Sequence, residues 1–256
     1  MSAHIVVETR ERIARIELAR PDKKNALTLE MYQALADTLV AAEGDAQVRA
    51  LLIHGAADCF CSGNDLKDFL ERPPHGDESP TWRFLRAVSS AAKPLVAAVG
   101  GAAVGVGTTM LLHCDLVYAA PNARFQLPFV PLGLVPEAAS SLLLPMIAGY
   151  QRAAELLLLG QPFGGAKALA AGFVTEVVPE GELIEHARGA ALALAALPPA
   201  SVRLTKQLMK GRTAEAVAAR LELEGGHFRE RLASPEAKEA MSAFFEKRKP
   251  DFSRFS

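Results

Sequence analysis

The sequence has almost no net charge and few cysteines. Its 28 lysines and arginines are matched by 29 aspartates and glutamates, which leaves a formal net charge of −1. A chain without a positive field attracts nucleic acid poorly, so we expect no nucleic-acid partner. Cys59, Cys61 and Cys114 do not have the spacing of a zinc site, and we predict no metal. Free thiols are typical of a reducing compartment, so we predict a cytoplasmic protein.

Signals for secretion or membrane insertion are also scarce. Residues 1–8 lack the apolar core of a signal peptide. Residues 95–112 form an uncharged stretch long enough to cross a bilayer, but glycines and threonines interrupt its middle. We therefore predict a buried strand, a glycine loop and a short buried helix in this stretch, and no membrane partner.

Half of the 256 residues are apolar, which is enough for one well-packed α/β core. Strand and helix patterns alternate up to about Phe125, and helical patterns dominate from Glu137 onward. The predicted strands cover residues 5–7, 13–18, 50–54, 94–99, 115–119 and 173–178. The predicted helices include one capped by Thr28 with a buried stripe at Leu27, Met31, Leu35 and Leu39, one at 82–92, and one from Ser234 to about 247. Residues 71–80 are rich in proline and predict a mobile surface loop.

Two loops combine glycine with small residues where a helix begins. They cover residues 61–65 and 100–107. Backbone N–H groups at a helix start have no internal partner, and two such loops aimed at one point would form an oxyanion hole. Tight strand-to-helix turns are the alternative interpretation. The second loop does not fit a dinucleotide site, because the third glycine is absent, and the sequence has no P-loop.

Several short motifs follow one another along nearly the whole chain. They are residues 25–27 (Asn-Ala-Leu), 60–66 (Phe-Cys-Ser-Gly-Asn-Asp-Leu), 93–94 (Lys-Pro), 101–105 (Gly-Ala-Ala-Val-Gly), 114–115 (Cys-Asp), Phe125 and 241–249 (Met-Ser-Ala-Phe-Phe-Glu-Lys-Arg-Lys). In this order they resemble the enoyl-CoA hydratase/isomerase (crotonase) family. The resemblance implies a crotonase-like α/β fold, a spiral of strand–strand–helix units followed by a helical C-terminal region. It implies an acyl-CoA core at residues 1–195 and a helical region at 196–256 for oligomerisation and coenzyme A contact.

The resemblance also implies roles for individual residues. The N–H groups of Ser62 and Val106 would form the oxyanion hole. The residues implied to contact coenzyme A or the acyl group are Lys24, Ala26, Leu27, Ser62, Gly63, Asn64, Asp65, Leu66, Val104, Phe129 and Leu132. Phe244 and Lys247 would reach the nucleotide end, often that of a neighbouring subunit. The implied partners are an acyl-CoA thioester and further copies of the chain, as a homotrimer or a dimer of trimers. No cofactor is implied, because coenzyme A belongs to the substrate.

The resemblance singles out one acid for the reaction. Hydratases of the family use two glutamates to hold and activate water, and the matching positions here are Thr109 and Phe129. Glu137 is the one charged residue between Phe125 and Tyr150. Its segment resembles that of Δ3,Δ2-enoyl-CoA isomerases, whose single catalytic glutamate occupies the matching position. A bland alternative is that an acid after a proline simply lies in the first turn of a helix.

The sequence therefore predicts an acyl-CoA enzyme of fatty acid metabolism. The expected reaction is Δ3,Δ2-enoyl-CoA isomerisation through a dienolate, with Glu137 as the proton carrier. Enoyl-CoA hydration or another crotonase-type reaction is the alternative among enzymes, because a fold does not fix a reaction. A non-catalytic acyl-CoA binder is the alternative from a different class, but a binder has no need of a carboxylate at Glu137.

Overall fold

The computed structural model describes residues 2–56, 58–72, 76 and 78–255. The strands found there are β1 Ile5–Arg10, β2 Ile13–Leu18, β3 Ala50–Gly55, β4 Cys59–Cys61, β5 Leu95–Val99, β6 Ala102–Val104, β7 Leu116–Ala119, β8 Arg124–Gln126, β9 Phe163–Gly164 and β10 Glu176–Val177. The α-helices are α1 Leu29–Gly44, α2 Leu66–Glu71, α3 Pro80–Ser90, α4 Val106–Thr109, α5 Ser140–Ala148, α6 Tyr150–Ala154, α7 Gly165–Ala171, α8 Leu183–Ala196, α9 Pro199–Gly211, α10 Ala214–Leu232 and α11 Pro235–Phe245.

The strands form two sheets, and from β3 to β8 the chain alternates between them. The larger sheet has the order β1-β2-β3-β5-β7-β10, and the smaller has the order β4-β6-β8-β9. Three successive units each place one strand in the larger sheet and the next in the smaller: β3 and β4, β5 and β6, β7 and β8. From β2 to β10 the larger sheet is parallel. This spiral of strand pairs and helices, with α8 to α11 at the C-terminal end, confirms the predicted fold class.

The larger sheet is covered on both faces because its strands alternate between two cores. Leu51 and Ile53 of β3 point into the main core with residues of α1 and α3. Ala50 and Leu52 point to the other face, where they pack with alanines of α8. A parallel sheet covered on both faces reads in sequence as a continuous apolar run, and this explains the uncharged β5.

The predicted helix starts agree with the structure. Thr28 Oγ1 accepts a hydrogen bond from Met31 N at 3.3 Å at the start of α1, and the predicted apolar stripe of that helix is buried. Ser234 Oγ accepts from Ala237 N at 3.2 Å at the start of α11. That helix ends at Phe245, earlier than predicted, and Lys247 then takes a left-handed φ of 54°.

Other predictions differ from the structure. Strands β4 and β6 lie in segments predicted as loops, because a strand of three residues is too short to show an alternating pattern. Of the strand predicted at 173–178, only the two residues of β10, Glu176–Val177, form a strand. Of the loop predicted at 71–80, residues 73–75 and 77 lie outside the described part of the chain, and Pro80 already begins α3. No helix in the described part is long and apolar enough to cross a membrane.

The backbones of strand β4 and helix α4 are in close contact at Cys61 and Gly107. A Cβ atom added to Gly107 would overlap Cys61 O and lie 2.9 Å from Cys61 Cβ. The contact leaves no room for a side chain. It therefore brings the loop after β4 beside the start of α4.

We expect Gly107→Ala to destabilise the protein by about 1–3 kcal/mol, because the methyl group must push α4 away from β4. Gly189→Ala is the matched control, since a Cβ at Gly189 on α8 has nothing within 4 Å. The control is expected to raise stability by about 0.5–1 kcal/mol, as alanine does in a helix interior. Urea unfolding of both variants measures the difference, and a Gly107→Ala protein as stable as wild type would contradict the close contact.

Candidate active site

The loop after β4 carries two backbone N–H groups with different partners. Ser62 N–H donates to Lys24 O at 3.0 Å. Asn64 N–H donates no hydrogen bond within the described residues. The predicted oxyanion-hole role of Ser62 is therefore corrected, because its N–H already holds the loop to the chain at Lys24. Asn64 N–H is the donor that this loop leaves for a ligand.

The second candidate donor is Val106 N–H at the start of α4. First-turn N–H groups of a helix have no intrahelical acceptor, and among the described residues Val106 N–H has no other partner. Gly105, with φ 55°, turns the chain into the helix. The two loops adjoin, since a Cβ on Gly63 would lie 3.0 Å from Val104 O. Two unpaired N–H groups on neighbouring loops can both donate hydrogen bonds to one ligand oxygen.

Glu137 lies in a segment without regular secondary structure, and α5 begins only at Ser140. The alternative interpretation of Glu137 as a first-turn helix acid is therefore wrong. Its residue surface is only 8% exposed, and Oε1 has no hydrogen-bond partner in the described structure. The small cavity of about 30 Å³ at this carboxyl has mainly apolar walls, formed by Phe69, Thr81, Trp82, Leu85, Ala138, Leu221, Gly225 and Phe228.

The surroundings of Glu137 favour its protonated form. Burial raises the pKa of Glu137 to about 8, and the nearby carboxylate of Glu224 adds to the shift. Glu137 also contributes, after burial, to the raised pKa values of Tyr32 and Cys61. Tyr32 OH in turn donates to Asn64 Oδ1 at 2.5 Å. These interactions connect the carboxyl to the loop that carries Asn64 N–H.

The chain after Glu137 is held by residues that the sequence analysis missed. Glu224 on α10 accepts hydrogen bonds from Ala139 N and Ser141 N, at 2.7 and 2.9 Å. His113 Nε2 bonds to Ala138 O at 2.8 Å. Only the apolar neighbours of Glu224 in α10 signal that it is buried, and they do not identify its partners.

Thr109 and Phe129 occupy the positions at which the resemblance implies the two glutamates of hydratases. Both residues are buried. Thr109 Oγ1 makes no hydrogen bond in the described structure. Phe129 has no group that can exchange a proton. These two positions therefore supply no carboxyl group to activate a water molecule.

Two of the segments predicted to contact coenzyme A come together. Leu27 N donates to Gly63 O at 2.8 Å, and Asp65 N donates to Leu27 O at 2.9 Å. The Asp65 carboxylate caps α2 and forms an ion pair with Arg20 at 2.7 Å, so it is occupied by structural contacts. Lys24 is exposed, and the predicted contact residues that are half-buried are Ala26, Ser62, Asn64, Asp65, Leu66, Val104 and Leu132.

The predicted C-terminal contacts lie at the end of α11. Phe244 and Lys247 are exposed there. Helix α11 packs against Gly133, where an added Cβ would lie 2.7 Å from Ala237 N. The helix is thereby fixed beside Leu132, while Phe244 and Lys247 point to the surface of the single chain.

Comparison with known proteins identifies the family of this chain. The family model described as enoyl-CoA hydratase/isomerase matches residues 8–254. The chain belongs to the enoyl-CoA hydratase/isomerase family.

Relatives in the family carry the names of different reactions. Enoyl-CoA delta isomerase 2 of Rattus norvegicus is 37% identical over 95% of this chain, which spans 63% of the rat protein's length. The 2,3-dehydroadipyl-CoA hydratase of Escherichia coli K12 is 33% identical over 98% of both chains. A solved enoyl-CoA hydratase/isomerase from Pseudoalteromonas atlantica T6c is 45% identical, with a TM-score of 0.94 over 97% of this chain and 99% of that one. Membership of the family therefore leaves the reaction to be argued from the site.

The raised pKa of Glu137 makes stability depend on pH. The folded protein keeps this carboxyl protonated up to about pH 8, whereas in an unfolded chain it ionises near 4.5. The wild type therefore loses stability between these values as the pH rises. Glu137→Gln removes that loss, so we expect it to be more stable than wild type by on the order of 3 kcal/mol at pH 9 and by much less at pH 5.

Urea unfolding at both pH values and one protein concentration measures this difference. Glu222→Gln is the control, because Glu222 is exposed on the same helix as Glu224. An equal effect of Glu137→Gln at pH 5 and pH 9 would show that the carboxyl is not held protonated by the fold.

Proposed function

We propose that the protein is a Δ3,Δ2-enoyl-CoA isomerase in which Glu137 is the only acid–base group. The observation that carries the proposal is the state of Glu137. Among the described residues, its Oε1 is the carboxyl oxygen that is buried without a hydrogen bond. A carboxyl with a pKa raised to about 8 takes and returns a proton near neutral pH.

The reaction begins when the thioester oxygen accepts hydrogen bonds from Asn64 N–H and Val106 N–H. Glu137 removes a proton from C2 of a 3-enoyl-CoA, and the negative charge spreads over the thioester oxygen and the chain to C4. Each N–H donor stabilises this dienolate-like transition state by roughly 3 kcal/mol. Glu137 then returns a proton to C4, and the double bond ends between C2 and C3. At the end of the cycle Glu137 is again a carboxylate, and the product carries as many protons as the substrate did.

A hydratase is the second candidate because relatives with hydratase names have similar identity to this chain. Hydration needs a base for the water and an acid for the α-carbon. Thr109 and Phe129 offer neither, so isomerisation is expected to be faster than hydration. A coenzyme A binder without catalysis is disfavoured by the cost of burying the unpaired Glu137 carboxyl, which binding alone does not require.

The coenzyme A moiety is proposed to lie along the joined segments at Lys24, Ala26 and Leu66. These residues border the loop whose Asn64 N–H donates a hydrogen bond to the thioester oxygen. Phe244 and Lys247 are proposed to contact the nucleotide end. Lys247 offers a positive charge to a phosphate there.

Glu137→Gln keeps the shape of the side chain and removes its ability to accept a proton. We expect coenzyme A affinity to stay close to wild type and turnover of a 3-enoyl-CoA to fall by about 10²–10⁴-fold. A panel of 3-enoyl-CoA and 2-enoyl-CoA thioesters, read for double-bond shift and for hydration, measures both activities. Glu222→Gln is the control and should isomerise like wild type.

Two results would overturn the assignment. Isomerisation by Glu137→Gln at the wild-type rate would remove Glu137 from the reaction. A wild-type protein that hydrates 2-enoyl-CoA without shifting the double bond of 3-enoyl-CoA would be a hydratase.

We also propose that the chain assembles as a homotrimer or a dimer of trimers. Large apolar side chains are exposed in groups along the C-terminal half, at Met146, Ile147, Tyr150, Leu158, Leu159, Leu204, Leu208 and Met209. Apolar surface of this kind marks a contact with another protein. Symmetric packing of copies of the chain buries it.

Light scattering at micromolar concentration is expected to give the mass of three or six chains, because the exposed apolar groups are then covered. A monomer at that concentration would contradict the assembly. The isomerase proposal does not depend on this result, since Glu137, Asn64 and Val106 come from one chain.

A further inference from the structure

The turn that follows Glu137 is in an unfavourable backbone conformation. Ala138 and Ala139 both have left-handed φ values, 59° and 56°. For residues with a Cβ, this conformation costs roughly 1–2 kcal/mol each. Two such residues in succession require contacts that hold them, and these contacts decide where the Glu137 side chain points.

Glu224 binds this turn with both of its carboxylate oxygens. Oε2 accepts from Ala139 N at 2.7 Å, and Oε1 accepts from Ser141 N at 2.9 Å. Glu224 is only 6% exposed and reaches the turn from α10, in a distant part of the sequence. A side chain that bonds backbone groups on both sides of Ser140 fixes the path of the chain.

Further contacts hold the same turn from within and from another part of the chain. Ser140 Oγ donates to Glu137 O at 2.6 Å, and Ser140 N donates to the same oxygen at 3.0 Å. Burial lowers the pKa of His113 to about 4, so its imidazole is neutral at pH 7. Its Nε2 carries the proton that is donated to Ala138 O, because a carbonyl oxygen only accepts.

The contacts of Glu224 favour its charged form. Each oxygen accepts an N–H bond, which suits a carboxylate. Arg220, one helical turn earlier on α10, favours the charge electrostatically and donates to Ser141 Oγ at 3.2 Å. Burial opposes these effects and raises the pKa of Glu224. Two N–H bonds and a nearby guanidinium offset part of that burial.

We propose that Glu224 is the positioning residue of this site: its two N–H bonds fix the turn that aims Glu137, and its negative charge acts directly on the Glu137 carboxyl. This inference deepens the proposed function and rests on it where it concerns turnover. The part that concerns the two carboxyl groups is independent of the reaction.

The proposal gives Glu224 an effect that a merely structural contact would not have. A negative charge beside Glu137 favours the protonated form of that carboxyl, in addition to the effect of burial. Within the described residues, the other titratable groups that interact with Glu137 are Tyr32 on α1 and Cys61 on β4. Burial raises the pKa values of both, so both are neutral at pH 7. Glu224 is therefore the charged group that sets the proton affinity of Glu137 beyond burial.

The test compares Glu224→Gln with the exposed control Glu222→Gln. Glutamine keeps the size of Glu224, but it removes the charge and accepts only one of the two N–H bonds. Infrared difference spectra over a pH series follow the Glu137 carboxyl stretch, which is assigned by its loss in Glu137→Gln. We expect Glu224→Gln to lower the Glu137 midpoint by about one pH unit. The acidic limb of the kcat/KM profile should move by the same amount.

Turnover at the pH optimum is expected to fall by roughly 10–100-fold in Glu224→Gln, because a misplaced carboxyl loses its alignment with C2 and C4. The control is expected to change neither midpoint nor turnover. A second measurement does not depend on how well Glu224→Gln folds. Glu224 ionises at the lower pH of the two, while Glu137 is still protonated and neutral, so replacing Glu137 with neutral glutamine is expected to leave the midpoint of Glu224 unchanged.

An unchanged Glu137 midpoint in Glu224→Gln would overturn the proposal, and so would a Glu224 midpoint that falls in Glu137→Gln, because Glu137 would then be the group that ionises first. A wild-type protein that fails to isomerise, while the Glu137 midpoint falls in Glu224→Gln, would instead refute the proposed function and leave the effect of Glu224 on Glu137 intact. A wild-type protein that isomerises 3-enoyl-CoA, together with a Glu137 midpoint that does not move in Glu224→Gln, would support the proposed function and refute the role of Glu224.

Discussion

The backbone contact between Cys61 and Gly107 is the constraint on which the site depends. Strands β4 and β6 are parallel neighbours, and each leads into a loop at its carboxyl end. Because Gly107 has no side chain, α4 can start directly beside β4. The N–H groups of Asn64 and Val106 then belong to adjoining loops. A rigid pair of donors costs no reorganisation when charge develops on a bound oxygen.

Glu137 completes this arrangement at the expense of stability. An unpaired buried carboxyl is unfavourable, and the left-handed turn after it adds strain. The surrounding residues offset part of this cost with specific bonds: Glu224 and His113 hold the turn from two distant parts of the chain, and Ser140 bonds back to Glu137 O. An unpaired buried carboxyl held by a strained turn and several specific bonds is typical of a functional group positioned for a ligand, rather than of a core residue.

Features that depend on local chemistry were predictable from the sequence. The hairpin of β1 and β2, the Thr28 cap of α1 and the Ser234 cap of α11 all follow from patterns within a few residues. Glu137 stood out because it is alone in an uncharged run. Its position before α5 did not follow from the sequence, since a proline followed by an acid also begins many helices.

Features that depend on distant contacts were not predictable. Strands β4 and β6 exist because they pair with each other, and their three residues carry no pattern of their own. Ser62 and Asn64 are both small polar residues beside a glycine, and only the bond from Ser62 N–H to Lys24 O separates their roles. Glu224 reaches Ala139 from 85 positions away, so a single sequence offers no sign of the pair.

The central claim is that one buried carboxyl both removes and returns the proton. Conversion of a 3-enoyl-CoA deuterated at C2, carried out in ordinary water, tests this directly. A single carboxyl in an apolar cavity exchanges slowly with solvent, so mass spectrometry of the product should find part of the deuterium at C4. Product with no deuterium at C4 would contradict the account, because the proton would then come from solvent or from a second group.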